Sequence, residues 1–244
     1  MTETFLGANK IGIVHDKYIS LKQGMFGERW TKSEVFTLFH LARIAHYLFP
    51  QHVPEVRGIR KYKHERSGQD AYSFFVERIE HDKDHTEISA YRNQMNGDLP
   101  GKVYMQDGDE DIVIPPTPAV PASKIQATEF LRDKFREAGL YKGKVALSNG
   151  SESTLSEGYE VDTFNVIDHE ESGEAIFFDF VPAFRSRLEV DNRYYLRFNP
   201  EVLIAYIYKN TKGSIRQLCL EEVNKIYKQL PPAAQVFFKD KFQI

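Results

Sequence analysis

With 244 residues, 41% of them hydrophobic and 27% charged, the chain has the size and composition of a soluble globular protein, either one large domain or two lobes around a shared core. A formal net charge of −3 gives no general attraction to nucleic acid or to an anionic membrane, and neither is expected as a partner. The single cysteine, Cys219, excludes an intramolecular disulfide and a cysteine-rich zinc site; with no signal-peptide pattern in MTETFLGANKIG and no apolar run of membrane-spanning length, a cytoplasmic setting is the expectation.

In chain order, residues 3–22 read as three short strands. The first covers 4–6, residues 7–12 turn with a glycine at each end, 13–14 continue as strand, 15–17 turn again, and 18–22 form the third strand. Glycine lets backbone N–H groups approach an anion, and Asn tolerates left-handed conformations, so Gly7, Asn9 and Gly12 make a turn able to cover a phosphate; plain hairpin glycines are the competing reading. A loop over 23–30 precedes a helix over 31–49, whose Val35, Leu38, Phe39, Ala42, Ala45 and Leu48 recur at helical spacing until Pro50 stops it. Glu34 shares the side of Leu38 and Leu41, where a carboxylate needs a cation, unless it is simply a first-turn charge on the helix dipole.

Strands are expected over 53–61 and 71–79, with 62–69 as a charged turn between them. A short helix follows over 87–95. Residues 97–123, acidic and then proline-rich, show no period and read as a connector. A helix over 125–140 turns Phe130, Leu131 and Phe135 inward and ends at Gly139. A short strand over 144–147 and a polar loop over 148–156 come next. After an irregular stretch to about residue 195, helices are expected over 200–209, 214–230 and 233–242.

Between these lies the stretch on which the chemistry depends. Residues 161–167, a turn over 168–173 and residues 175–178 alternate as a β-hairpin. Asn165 enters it and Asp179 leaves it, so strand pairing brings an amide oxygen and a carboxylate to one end, a hard-oxygen set suited to Mg2+. An ordinary surface hairpin with polar ends is the competing reading. The eight histidines show no metal-ligand spacing, and Ser148-Asn149-Gly150-Ser151 lacks the pattern of a nucleophile elbow. The basic residues Arg57, Lys61, Lys63 and Arg66 read as a solvated stretch.

The order of these pieces resembles protein-kinase-like enzymes. LGANKIGIV over 6–14 looks like their glycine-rich loop, with Asn9 in place of the middle glycine, and ISLK over 19–22 looks like the strand that carries a phosphate-binding lysine, here Lys22. Glu34 with Leu38 and Leu41 is similar to the helix whose Glu pairs with that lysine, and residues 74–79 fall at the family's hinge strand. Asn165, the hairpin and Asp179-Phe180-Val181 resemble the metal-binding Asn and the Asp-Phe-Gly segment, so the resemblance covers residues 3–181.

It implies an α+β, two-lobed, protein-kinase-like fold. Residues 1–80 would be an N-lobe, an antiparallel sheet with one helix covering the nucleotide; residues 81–244 would be a small, mostly helical C-lobe holding the metal-binding hairpin. It implies ATP and Mg2+ as cofactors. Gly7, Asn9, Gly12 and Lys22 would hold phosphate oxygens, Glu34 would orient Lys22, and Asn165 and Asp179 would hold Mg2+. The backbone at Phe75, Val76 and Glu77 would meet an adenine edge, with Val14 and Ile19 or Ser20 packed on the ring.

The sequence departs from the family in the catalytic loop. No His-Arg-Asp or His-Gly-Asp is present; Glu160, five residues before Asn165, takes the catalytic-base position by spacing, and Asp162 is a nearby carboxylate able to serve instead. Val181 replaces the last glycine of the metal segment, no Ala-Pro-Glu follows, and the chain after Asp179 is short. The expected function is therefore ATP/Mg-dependent phosphoryl transfer to an unidentified acceptor, by an atypical or small-molecule kinase of the aminoglycoside-phosphotransferase kind. The alternative is a pseudokinase serving as a nucleotide-binding or scaffold module, and a third possibility is a non-kinase α+β interaction domain.

Overall fold

Local pairing of short alternating segments builds the first half of the chain. The computed structural model describes residues 4–6, 10–15, 18–23, 32–63, 68–77, 103–105, 111–113, 122–140, 143–146, 152–157, 166–169, 174–177, 198–230 and 232–242. Strands β1 (Thr4–Leu6), β2 (Lys10–His15) and β3 (Tyr18–Gln23) form an antiparallel meander. Strands β4 (Val56–Lys63) and β5 (Asp70–Glu77) complete a five-stranded sheet in the order β1-β2-β3-β5-β4. Lys10, Ile11 and Gly12 belong to β2 rather than to the expected turn, because Leu6–Ile11 and Phe5–Gly12 pairing draws them into the ladder. The expected strand over 53–61 starts three residues later and extends to Lys63.

Gly58, at φ +47°, marks a register shift between Arg57 and Ile59, the left-handed residue that lets a bulge bend β4. β4 is an edge strand, and its outward positions are charged, which discourages pairing with another chain. Arg57 pairs with Glu55 at 2.8 Å, and Lys61 and Lys63 both bind Asp70, at 2.6 and 2.8 Å, so these three basic residues are exposed and paired locally; Arg66 lies outside the described residues. Those two lysines hold the Asp70 carboxyl down at about 2.

Between β3 and β4 runs α1 (Lys32–Leu48). Val35, Leu38, Phe39, Leu41, Ala42, Ile44 and Ala45 are all buried, more than the single stripe that a surface helix hides. The reason is that α1 is covered twice. One side packs on the sheet, where the Phe39 and Phe74 rings lie 6.0 Å apart; another packs on α4 (Gly213–Gln229). Each fully buried aliphatic side chain of this kind contributes about 2 kcal/mol.

The second half also follows its apolar spacing. α2 (Ala122–Glu137) buries Thr128, Leu131 and Phe135, whereas Phe130, expected inward, is 46% exposed. Gly139 closes it at φ +69°, the left-handed conformation that lets Leu140 N–H reach the Phe135 carbonyl at 2.8 Å. α3 (Pro200–Asn210), capped by the Asn199 side chain on Val202 N–H, then α4 and α5 (Pro232–Phe242), fall within two residues of expectation. Val202 and Ile215 are 39% and 41% exposed.

Two expectations fail where strand pairing intervenes. The connector over 97–123 contains an antiparallel pair, β6 (Val103–Met105) and β7 (Asp111–Val113). The polar loop over 148–156 gives way to β9 (Glu152–Glu157), paired with β8 (Gly143–Ala146). The hairpin β10 (Val166–His169) and β11 (Glu174–Phe177) is present, with Asp168 and His169 in the strand rather than the turn. The helix over 87–95 and the irregular stretch to 195 lie outside the described residues. The fold is α+β, and one apolar core joins α1, the sheet, α2, the β10–β11 hairpin and the three C-terminal helices. No helix among the described residues is long and apolar enough to cross a membrane.

Candidate functional site

The sheet sets where the phosphate-binding candidates can lie. Leu6 pairs with Ile11 and Ile11 with Lys22, so position 22 lies two strands from the mouth of the turn at 7–9, about 10 Å between α-carbons. Gly7 and Asn9 are outside the described residues. Gly12 is not a loop residue: its backbone is engaged between Phe5 and Leu21.

Strand alternation then divides the candidates between two faces. Phe74 faces α1 through Phe39. Val76, two residues on, shares that face and pairs with Ile19, which pairs with Val14. Positions 14 and 19 therefore share the register of Val76. Ser20 pairs with Phe75, and position 22 shares their parity in the ladder. Position 34 lies in the first turn of α1. Of Lys22 and Glu34 only the backbone belongs to the described structure.

The hinge candidates lie in β5. Phe75 pairs with Ser20 and Arg57, Val76 with Ile19 and Val56, and Glu77 N–H donates to the Glu55 carbonyl at 2.8 Å. Val76 is buried and Phe75 half-buried. The Glu77 carboxylate accepts Glu55 N–H at 3.1 Å.

The metal candidates flank the hairpin in sequence. Val166 pairs with Phe177, the last described pair at that end. Position 165 precedes Val166 by one residue and position 179 follows Phe177 by two. Asn165, Asp179, Glu160 and Asp162 themselves lie outside the described residues. Among the described residues no group of three His, Cys, Asp or Glu side chains could hold a metal ion.

What fixes this hairpin is a joint that the sequence did not announce. The connection after α1, Phe49 to Glu55, is bonded to β11: Phe177 N–H donates to the His52 carbonyl at 2.8 Å, and His52 Nδ1 meets the Ala175 carbonyl at 2.9 Å. Phe177 is fully buried and lies edge-on to Phe135 at 5.2 Å, and Phe135 stacks on Phe49 at 5.6 Å. The same connection holds β5 through Glu55 and Glu77. One short segment therefore carries both the central sheet and the hairpin on which the metal candidates depend.

A second feature missed in the sequence lies between α1 and α4. The Glu222 side chain is 1% exposed, yet it faces an imidazole and two cations. Its Oε2 is 2.5 Å from His40 Nδ1, while Oε1 is 2.9 Å from Lys225 Nζ and 3.3 Å from Arg43 Nε. The Arg43 contact is an ion pair without hydrogen-bond alignment. Arg43 also lies over the Phe39 and Tyr47 rings, at 5.7 and 5.5 Å, and donates to the Tyr47 hydroxyl. Burial pushes the Glu222 carboxyl up, but hydrogen bonds from His40 and Lys225 and the Arg43 charge together hold it below the ordinary carboxylate value. Burial and the Glu222 charge push the neighbouring Cys219 thiol up to about 12, leaving it inert. The available signal was Glu222 standing on the stripe of Cys219, Val223 and Ile226, where an apolar residue was due.

Comparison with protein-family models, with curated proteins and with solved structures finds no match. An open groove of about 600 Å³ runs between α3, α4 and α5, past Tyr208, Gln217 and Asn224, and none of the nominated site residues lines it.

Proposed function

We propose that this chain is a two-lobed, kinase-like domain that binds ATP with Mg2+ and transfers a phosphoryl group to an unidentified acceptor. The observation that carries this reading is topological: a five-stranded antiparallel sheet takes a single helix between its third and fourth strands, and the connection after that helix is bonded to the hairpin flanked by Asn165 and Asp179. The donor set suits the metal, since an amide oxygen and a carboxylate at one hairpin end are hard ligands. When bound, Mg2+ neutralises charge on the phosphate oxygens. On this reading the residues at 7–9 cover the phosphates, Val14 and Ile19 or Ser20 pack on the base, Lys22 binds a phosphate oxygen, and Glu160 or Asp162 accepts the acceptor's hydroxyl proton.

The missing catalytic sequence favours a second reading. Without a His-Arg-Asp or His-Gly-Asp the domain would bind a nucleotide and act as a scaffold, a pseudokinase.

Thermal shift with and without Mg-ATP tests both. Lys22→Ala and Asp179→Ala are each expected to abolish the nucleotide-dependent shift, and retention of the parental shift in both variants refutes the site. Under the enzyme reading Glu160→Gln loses turnover and keeps binding; under the pseudokinase reading the parent itself shows no turnover. Absence of a shift with every nucleotide identifies a non-kinase interaction domain.

A further inference from the structure

A buried carboxylate surrounded by cations is a poor device for stability. Desolvating the charges offsets their attraction, and an apolar replacement of similar volume is often neutral or stabilising. What such a cluster does well is select one arrangement among several. Position 222 is set within the buried stripe of Cys219, Val223 and Ile226, so an apolar side chain there would continue the packing. Instead, Glu222 uses separate oxygens for two residues of α1, His40 at 2.5 Å and Arg43 at 3.3 Å. Those residues are three positions apart, and moving α1 along its axis by one residue, about 1.5 Å with a turn of about 100°, breaks both contacts together. The remaining contacts of α1 are largely aliphatic and aromatic and discriminate such shifts weakly.

We propose that Glu222 is a positioning residue: it locks the register of α1 between the sheet and α4, and through α1 it sets the place of the β10–β11 hairpin. The link is continuous in the structure. α1 runs into Phe49, whose N–H bonds to the Ala45 carbonyl at 2.9 Å; Phe49 accepts from His52 and Val53; and His52 holds Phe177. Phe177 is two residues before Asp179. The consequence for metal and nucleotide binding rests on the function proposed above; the placement of α1 does not.

The test replaces the buried pair with apolar residues, His40→Leu with Glu222→Met, and leaves Arg43 over the Phe39 and Tyr47 rings and Lys225 exposed. Glu222→Gln, which keeps the shape and one of the two acceptor oxygens, is the second variant in case the first does not fold. Amide hydrogen exchange of α1 and of Phe177 is read beside the global unfolding midpoint. The expected result is a midpoint equal to or above that of the parent, with α1 and Phe177 amides exchanging roughly three- to thirty-fold faster. Mg-ATP affinity, taken from the thermal shift, is expected to fall by a similar factor. Unchanged exchange overturns the proposal, and so does faster exchange explained by an equal loss of global stability. If the parent shows no shift with Mg-ATP, the nucleotide site is refuted, while the exchange data still decide whether Glu222 positions α1.

Discussion

Phe177→Ala probes the joint between the two halves of the molecule. The ring is fully buried, packs edge-on against Phe135 at 5.2 Å, and through it is coupled to Phe49 at 5.6 Å. Removing a buried phenyl ring costs about 3–5 kcal/mol, which includes the lost aromatic pair as well as the cavity. In a domain of this size each kcal/mol lowers the melting temperature by about 2–4 °C, so the expected drop is roughly 6–20 °C. The Phe177 N–H to His52 bond survives the substitution, because it is made by the backbone. Urea unfolding followed by circular dichroism measures the loss, with Ile176→Ala on the half-buried neighbour as the control. A loss below about 1 kcal/mol, or one no larger than the control's, would show that the Phe49–Phe135–Phe177 column does not join the hairpin to the rest of the core.

Gly139→Ala is expected to cost roughly 2–4 kcal/mol. The added Cβ would lie 2.9 Å from the Asn199 carbonyl oxygen and 3.0 Å from Val202 Cβ, at a φ of +69°, and a parental denaturation midpoint would refute this. Asn199→Ala removes the acceptor for Val202 N–H and should cost about 1 kcal/mol by urea titration, whereas Asn199→Asp should be near neutral. Glu222 supplies a pH dependence. Its carboxyl is held below the ordinary value in the folded state, so its contribution is present above that value and lost as pH falls through the depressed one. The parent should therefore lose more stability than Glu222→Gln between neutral and acidic pH, and parallel stability–pH curves would contradict the assignment.

Periodicity alone carried much of the architecture. The spacing of Val35, Leu38 and Ala42, of Leu131 and Phe135, and of Leu203 and Ile207 defines helices because an apolar stripe at a period of 3.6 residues is a local property of the chain. The alternating runs at 18–22 and 71–77 define strands for the same reason. Residues 103–105, 111–113 and 152–157 lie in segments read as a connector and a polar loop, too short and polar to be read as strands. Pairing with a partner made β6, β7, β8 and β9, and pairing is not contained in either segment by itself.

Tertiary structure decided the rest. Which positions of β3 share the register of Val76 depends on the pairing of β3 with β5, and a shift of one residue would reverse it. Whether Phe75, Val76 and Glu77 offer backbone to a ligand depends on β4 closing over the far side of β5. Glu222 reads in sequence as one acid on a helix far from His40, separated from it by 182 residues, and only the packing of α4 on α1 makes the two a pair. Short-range order in a chain follows from neighbouring residues, but the environment of a charge is set by whichever groups the fold brings around it, and for α1 those groups came from the opposite end of the chain.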